Sequence, residues 1–160
     1  MTHTEALLAQ IDLHPAQSVG YIGLKDETII KAFNDALQIC DGTLHLYLFN
    51  QTYISLSQTK LKIIKNYQSS FKIEARLFDQ LFLFSTLSEV PDKDRWIKKM
   101  FRSLENSGNI IIIENKKDFT KEYLLDLVEK HGFLAGNDID IFEDKWLINA
   151  KKMHGWGYGL

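Results

Sequence analysis

The sequence predicts a doubly wound α/β fold: a mostly parallel sheet covered by helices, with an antiparallel hairpin at its C-terminal end. Three observations predict it. Short apolar runs alternate along the chain with segments whose apolar residues recur at helical spacing. TLHLYLF at 43–49, QLFLF at 80–84 and IIIIE at 110–114 are nearly unbroken apolar runs, as expected of strands buried on both faces. The last two apolar segments are joined by only Glu143, Asp144 and Lys145, a link short enough for an antiparallel pair but not for a parallel one.

Each element has its own signal. Thr4 to Ile11 reads as a short leading helix stopped near His14-Pro15. Val19 to Leu24 is the first strand. Asp26 caps the helix that follows, where Ile29, Ile30, Phe33, Ala36, Leu37 and Cys40 fall on one face. Asp41-Gly42 ends that helix and 43–49 is the second strand. Residues 53–67 read as a helix capped by Thr52. After QLFLF, Asp92 caps a helix with Trp96, Ile97, Met100, Phe101 and Leu104 inward, and ENSGN stops it with Gly108 in the left-handed position. IIIIE is the next strand. A helix from Thr120 to His131 turns Leu124, Leu127 and Val128 inward and stops at Gly132. The closing hairpin pairs DIDIF at 138–142 with WLINAK at 146–151.

FKIEA at 71–75 is the natural place for a third parallel strand, yet QLFLF starts five residues later. A parallel crossover needs about a dozen residues. Residues 68–77 are therefore expected to pass under the sheet, leaving it without a third, edge strand.

The 160 residues, 45% hydrophobic and 25% charged, suit one domain: a helical lead-in at 1–16, the α/β body at 17–152 and a flexible tail at 153–160. The formal net charge of −2 argues against a dedicated nucleic-acid binder. The lysine clusters at 60–65, 98–99 and 151–152 are interleaved with acids and read as solvated surface. With Cys40 the single cysteine, no intrachain disulfide forms. The N-terminus has no signal-peptide pattern, and no apolar run approaches the ~20 residues of a membrane span, so a cytoplasmic protein is expected.

FDQLFLFSTLSEVPDKDRWIKKMFRSLENSGNIIIIEN, residues 78–115, resembles the fourth strand, loop, helix and fifth strand of class I S-adenosylmethionine-dependent methyltransferases. The HGF at 131–133 and the hairpin ending in INAKK are similar to that family's C-terminal region. The resemblance spans about residues 18–152 and implies a Rossmann-like sheet. It also implies that S-adenosylmethionine would lie against Tyr21, Gly23, Lys25, Asn50, Ser85 and Thr86, with Ser85 or Glu89 orienting an acceptor.

The departures fall in the cofactor half. The family's first-strand acid is matched by Tyr21, and of its three loop glycines only Gly23 stands here, the others being Lys25 and Glu27. Side chains at those positions keep the backbone from a cofactor. Asn50 replaces the acid that accepts from ribose hydroxyls. Two readings follow. One is a degenerate, non-catalytic binding or scaffolding module, with a small molecule or protein as partner, or a second copy joined at the bared sheet edge. The alternative is an active minimal methyltransferase acting on an unknown acceptor.

In an open α/β sheet, ligands bind at the carboxyl ends of the strands near the point where strand order reverses. That gathers Gly23, Lys25, Asn50, Ser85, Thr86, Glu89 and Glu114 around one crevice. His45 in a strand and His131 at a helix end read as structural, and the scattered histidines predict no metal. HGWGYGL at 154–160 has three glycines but no helix after it to present an N-terminus to phosphate. Its Trp156 and Tyr158 are free to dock on the sheet edge or a partner.

Overall fold

Helices in this protein begin where a side-chain oxygen can take up a free N–H of the first turn. Thr2, Asp26, Asp92 and Thr120 do so for Glu5, Ile29, Arg95 and Tyr123, and Thr2 with Glu5 completes a reciprocal capping box. The computed structural model describes residues 2–10, 14–49, 59–64 and 72–153. Its elements in chain order are α1 (His3–Leu8), β1 (Ser18–Gly23), α2 (Glu27–Ile39), β2 (Thr43–Phe49), β3 (Thr59–Ile64) and β4 (Phe78–Phe84). They continue with α3 (Lys93–Ser103), β5 (Leu104–Asn115), α4 (Lys121–Lys130), β6 (Leu134–Asp138) and β7 (Lys145–Lys151).

The strands form one seven-stranded sheet in the order β3-β2-β1-β4-β5-β7-β6. β3 to β5 run parallel, and β7 enters antiparallel between β5 and β6. The four isoleucines of β5 show why its run is apolar throughout. Ile110 and Ile112 face Trp96, Ile97, Met100 and the apolar stripe of α4, whereas Ile111 and Ile113 face the layer holding Ile30, Phe33 and Leu7. All four are fully buried, and each such burial stabilises by roughly 1.5–3 kcal/mol.

Four expectations are corrected. The edge strand is present: β3 pairs with β2 from Leu44↔Thr59 to Phe49↔Ile64, where a helix over 53–67 was expected. The TKLKII stretch alternates with period two, the mark of a strand and not of a helix. Residues 72–77 hold no strand, as expected for that segment. Since β3 occupies the edge, the sheet is not shortened on the side from which a homodimer was expected.

The second and third corrections concern the turn at 105–109 and the closing hairpin. Residues 104–108 belong to β5, and the left-handed residue is Ser107 (φ +67), not Gly108. Gly108 is needed for close approach instead: a Cβ there would lie 2.9 Å from both the Asp79 and Glu105 carbonyls. The hairpin strand lies at 134–138 and not 138–142. Ile139, Ile141 and Phe142 still turn into the core, but from irregular backbone.

The fourth correction is the leading helix, which ends at Leu8; fully buried Leu7 anchors it. Asn50, Thr52, the flanks of the expected 53–67 helix, and the tail with Trp156 and Tyr158 lie outside the described residues. Among the described residues no helix is long and apolar enough to cross a membrane.

Candidate functional site at the ends of strands one, four and five

Strand order reverses between β1 and β4. Here α/β sheets open a crevice at the carboxyl ends of their strands. Two of the expected residues, Gly23 and Thr86, meet at it. Gly23 ends β1 with φ +137, and a Cβ on it would lie 1.9 Å from the Phe84 carbonyl oxygen and 2.8 Å from Thr86 Oγ1. The Leu24 N–H donates to that same carbonyl at 3.0 Å. Thr86, wholly buried, donates its hydroxyl to the Ile22 carbonyl at 2.7 Å. The ends of β1 and β4 are thus laced directly to each other.

Tyr21 lies beneath this corner. Its ring is fully buried, stacked on Phe84 at 6.0 Å and edge-on to Phe33 at 6.4 Å. Its hydroxyl donates to the Leu24 carbonyl at 2.6 Å and so holds the loop from below. Burial, with the negative charge of Asp26, pushes the phenol far above its ordinary range, so it is a fixed donor at any ordinary pH. Beyond the loop, Asp26 Oδ1 accepts the Ile29 N–H at 3.0 Å at the start of α2. Lys25 and Glu27 pair at 2.9 Å. The positive end of α2 therefore faces two carboxylates of the protein itself.

Ser85 and Glu89 lie on the other side of β4. With Leu24, Ser88, Lys93, Asn115 and residues 117–119 they line a cleft of about 550 Å³ between the ends of β4 and β5. Ser85 is nearly buried with φ +53, and its N–H donates to the Ile113 carbonyl at 2.9 Å. The turn from Ser85 to Glu89 is supported from behind by Glu114. That carboxylate is fully buried, and its Oε2 accepts the Leu87 N–H at 2.9 Å. Burial raises its pKa to about 7, opposed by the Leu87 N–H and by Ser88 and assisted by the charge of Asp118.

The expected crevice is accordingly divided. Gly23 and Thr86 form the closed corner, Ser85 and Glu89 the open cleft, and Lys25 turns to Glu27. Sequence reasoning did not find Ser88, Lys93 or the Asn115–Phe119 segment. The signal available was position alone, since ENKKDF follows the carboxyl end of β5. His45 is nearly buried and edge-on to Phe78 at 5.4 Å, and burial lowers its pKa. His131 shares a 2.8 Å contact with Asp94 of α3. Among the described residues no three His, Cys, Asp or Glu side chains converge as a metal site would require.

Sheet order, the two helical layers and the antiparallel β7 define the class I S-adenosylmethionine-dependent methyltransferase fold, and this chain has it. No protein-family model matches the chain. Among curated proteins, the ubiquinone/menaquinone biosynthesis C-methyltransferase UbiE of Vibrio campbellii is 30% identical over 84 residues, 48% of this chain and 32% of that enzyme. The chain thus spans about a third of that relative's length. Phosphoethanolamine N-methyltransferase 2 of Haemonchus contortus, solved with S-adenosyl-L-methionine, superposes with a TM-score of 0.76 at 11% identity, covering 94% of this chain and 52% of its own. An Aquifex aeolicus S-adenosylmethionine-dependent methyltransferase gives 0.71 at 13% identity, covering 94% and 89%.

Proposed function

We propose that this chain is a methyltransferase-fold binding or scaffolding module whose S-adenosylmethionine corner is degenerate. One observation carries the reading: the corner after β1 is filled by its own bonds. The Leu24 N–H is spent on Phe84, the Leu24 carbonyl on Tyr21, and Gly23 is packed against backbone rather than left open. A cofactor needs free N–H groups and a backbone it can approach closely. Its amino-acid carboxylate would also meet Asp26 and Glu27 at the start of α2. These residues do not fit S-adenosylmethionine in the usual pose.

The second reading, a minimal methyltransferase, is favoured by the cleft beside Ser85 and Glu89, which is polar and large enough for a small acceptor. Function resides in the site and not in the fold, so binding decides between the two. The test is calorimetric titration with S-adenosylmethionine and S-adenosylhomocysteine, with thermal unfolding alongside. A native-state ligand at a hundred times its Kd adds about 2.7 kcal/mol, roughly 5–10 °C for a chain of this size. The module reading expects no saturable heat and no shift at millimolar ligand. Saturable binding with a shift of that order would overturn it.

A further inference from the structure

Glu114 closes β5 beneath the turn that walls the cleft, and it uses only half of its bonding capacity. Oε2 accepts the Leu87 N–H at 2.9 Å, while Oε1, equally buried, has no hydrogen-bond partner. An ionised carboxylate with one oxygen bare and no access to water is costly, and a proton on that oxygen relieves the cost. The turn in front of it is held in an uncommon conformation. Ser85 sits at φ +53, where residues other than glycine are disfavoured. Its carbonyl accepts the Ser88 hydroxyl at 3.2 Å, and the Glu89 N–H donates to Thr86 at 3.1 Å. Ser88 also stands close enough to Glu114 for its N–H and hydroxyl to favour the charged carboxylate. The Ser88 hydroxyl has one proton to give and two acceptors to choose from.

We infer that the Ser88 hydroxyl changes acceptor with the protonation of Glu114, and that the 85–89 wall of the cleft changes with it. With Glu114 neutral, Ser88 donates to the Ser85 carbonyl, the arrangement seen here. When Glu114 gives its proton to solvent, Ser88 turns its hydroxyl to Oε1 and releases the Ser85 carbonyl. Both serines line the cleft, so the groups offered to an occupant differ between the two states.

The charged groups around Glu114 agree with this. Asp118, beyond β5, is the described charge whose field reaches Glu114, and it favours the neutral form. Lys93 of α3 gives its ammonium to the Val90 carbonyl at 3.1 Å. Lys116 lies over the ring of Trp146, the cross-strand neighbour of Glu114 on β7, at 4.7 Å. Lys145 is paired with Asp144 at 3.3 Å. Glu89 and Lys117 line the cleft.

The test follows the backbone amides of Leu87 and Ser88 by NMR from pH 5 to pH 9 at fixed ionic strength. Both are expected to move together with one midpoint near neutrality and to stay still in Glu114→Gln. In Ser88→Ala the Leu87 amide should still titrate, with its midpoint about one pH unit higher, because the ionised carboxylate has lost its incoming donor. Amides that do not move in the wild type would overturn the inference. So would a titration that survives in Glu114→Gln, or an unchanged midpoint in Ser88→Ala. Should Glu114→Gln fail to fold, the carboxyl carbon of Glu114 in the wild type takes its place. A midpoint shared with the Leu87 amide supports the exchange, and a separate one refutes it.

Discussion

Glu114 also makes a prediction about the whole molecule. In the folded chain burial raises its pKa from 4.5 to about 7. The folded state therefore binds this proton more tightly than the unfolded state. The stabilisation is complete below about pH 4.5, declines as pH rises, and is lost above about pH 7. Each tenfold change in proton affinity is about 1.4 kcal/mol. The rise spans between two and three such factors, or about 3 kcal/mol, of which roughly 2–3 kcal/mol falls between pH 5 and pH 8.5. Glu114→Gln keeps the shape and an acceptor for Leu87 but cannot ionise. Urea unfolding followed by tryptophan fluorescence at a series of pH values gives both stabilities. Their difference cancels every other titrating group. The variant should gain on the wild type by about 2–3 kcal/mol across that range, overtaking it or losing least at alkaline pH. A difference that stays constant within about 0.5 kcal/mol would show that Glu114 titrates normally, and the account of its buried oxygen would fail.

Four further outcomes are expected. Asp118→Asn removes the charge that helps keep Glu114 protonated and should lower the midpoint of its carboxyl resonance. Tyr21→Phe deletes the hydrogen bond to Leu24 and should cost about 1 kcal/mol in urea unfolding. Gly23→Ala drives a Cβ into the Phe84 carbonyl at a strained φ; a loss of at least about 3 kcal/mol, or of soluble protein, is expected, and wild-type stability would contradict the closed corner. Lys152→Met leaves the Phe101 and Leu104 carbonyls, now 2.9 and 2.7 Å from its ammonium, without that donor. A cost of about 1–3 kcal/mol by the same assay is expected.

What could be read from the chain and what could not divide along a physical line. The central strands β2, β4 and β5 are apolar on both faces because helices cover both, and such runs are visible whatever else surrounds them. Helices α2, α3 and α4 show their caps and their apolar stripes. The two edge strands were the ones misplaced. Every residue of β6 is exposed, so it carries no apolar pattern at all. β3 interleaves Lys60 and Lys62 with Leu61 and Ile63, which reads equally as a solvated helix unless its period of two is counted. At the site, the rule that ligands gather at carboxyl ends of strands found Gly23, Ser85, Thr86 and Glu89. It could not say that Gly23 and Thr86 would be sealed and Ser85 and Glu89 open, because that depends on which backbone groups the loops use to satisfy one another.

The surviving glycine bears on how the corner is interpreted. Gly23 stands where the methyltransferase pattern has its first loop glycine, and its presence alone would count towards a cofactor site. Its surroundings give another reason for it. The residue sits at a positive φ with the Phe84 carbonyl where a Cβ would go, so the junction of β1 with β4 excludes a side chain whether or not anything binds. Lys25, half-buried, and Glu27, exposed, carry side chains further out and pair with each other at 2.9 Å. Packing therefore accounts for the glycine that is kept. A site under demand from S-adenosylmethionine would need the outer two as much as the first, since the backbone approaches its ligand there. On the proposed reading, the strand junction at Gly23 sets the requirement for glycine there, and the titration with S-adenosylmethionine tests whether a cofactor adds to it.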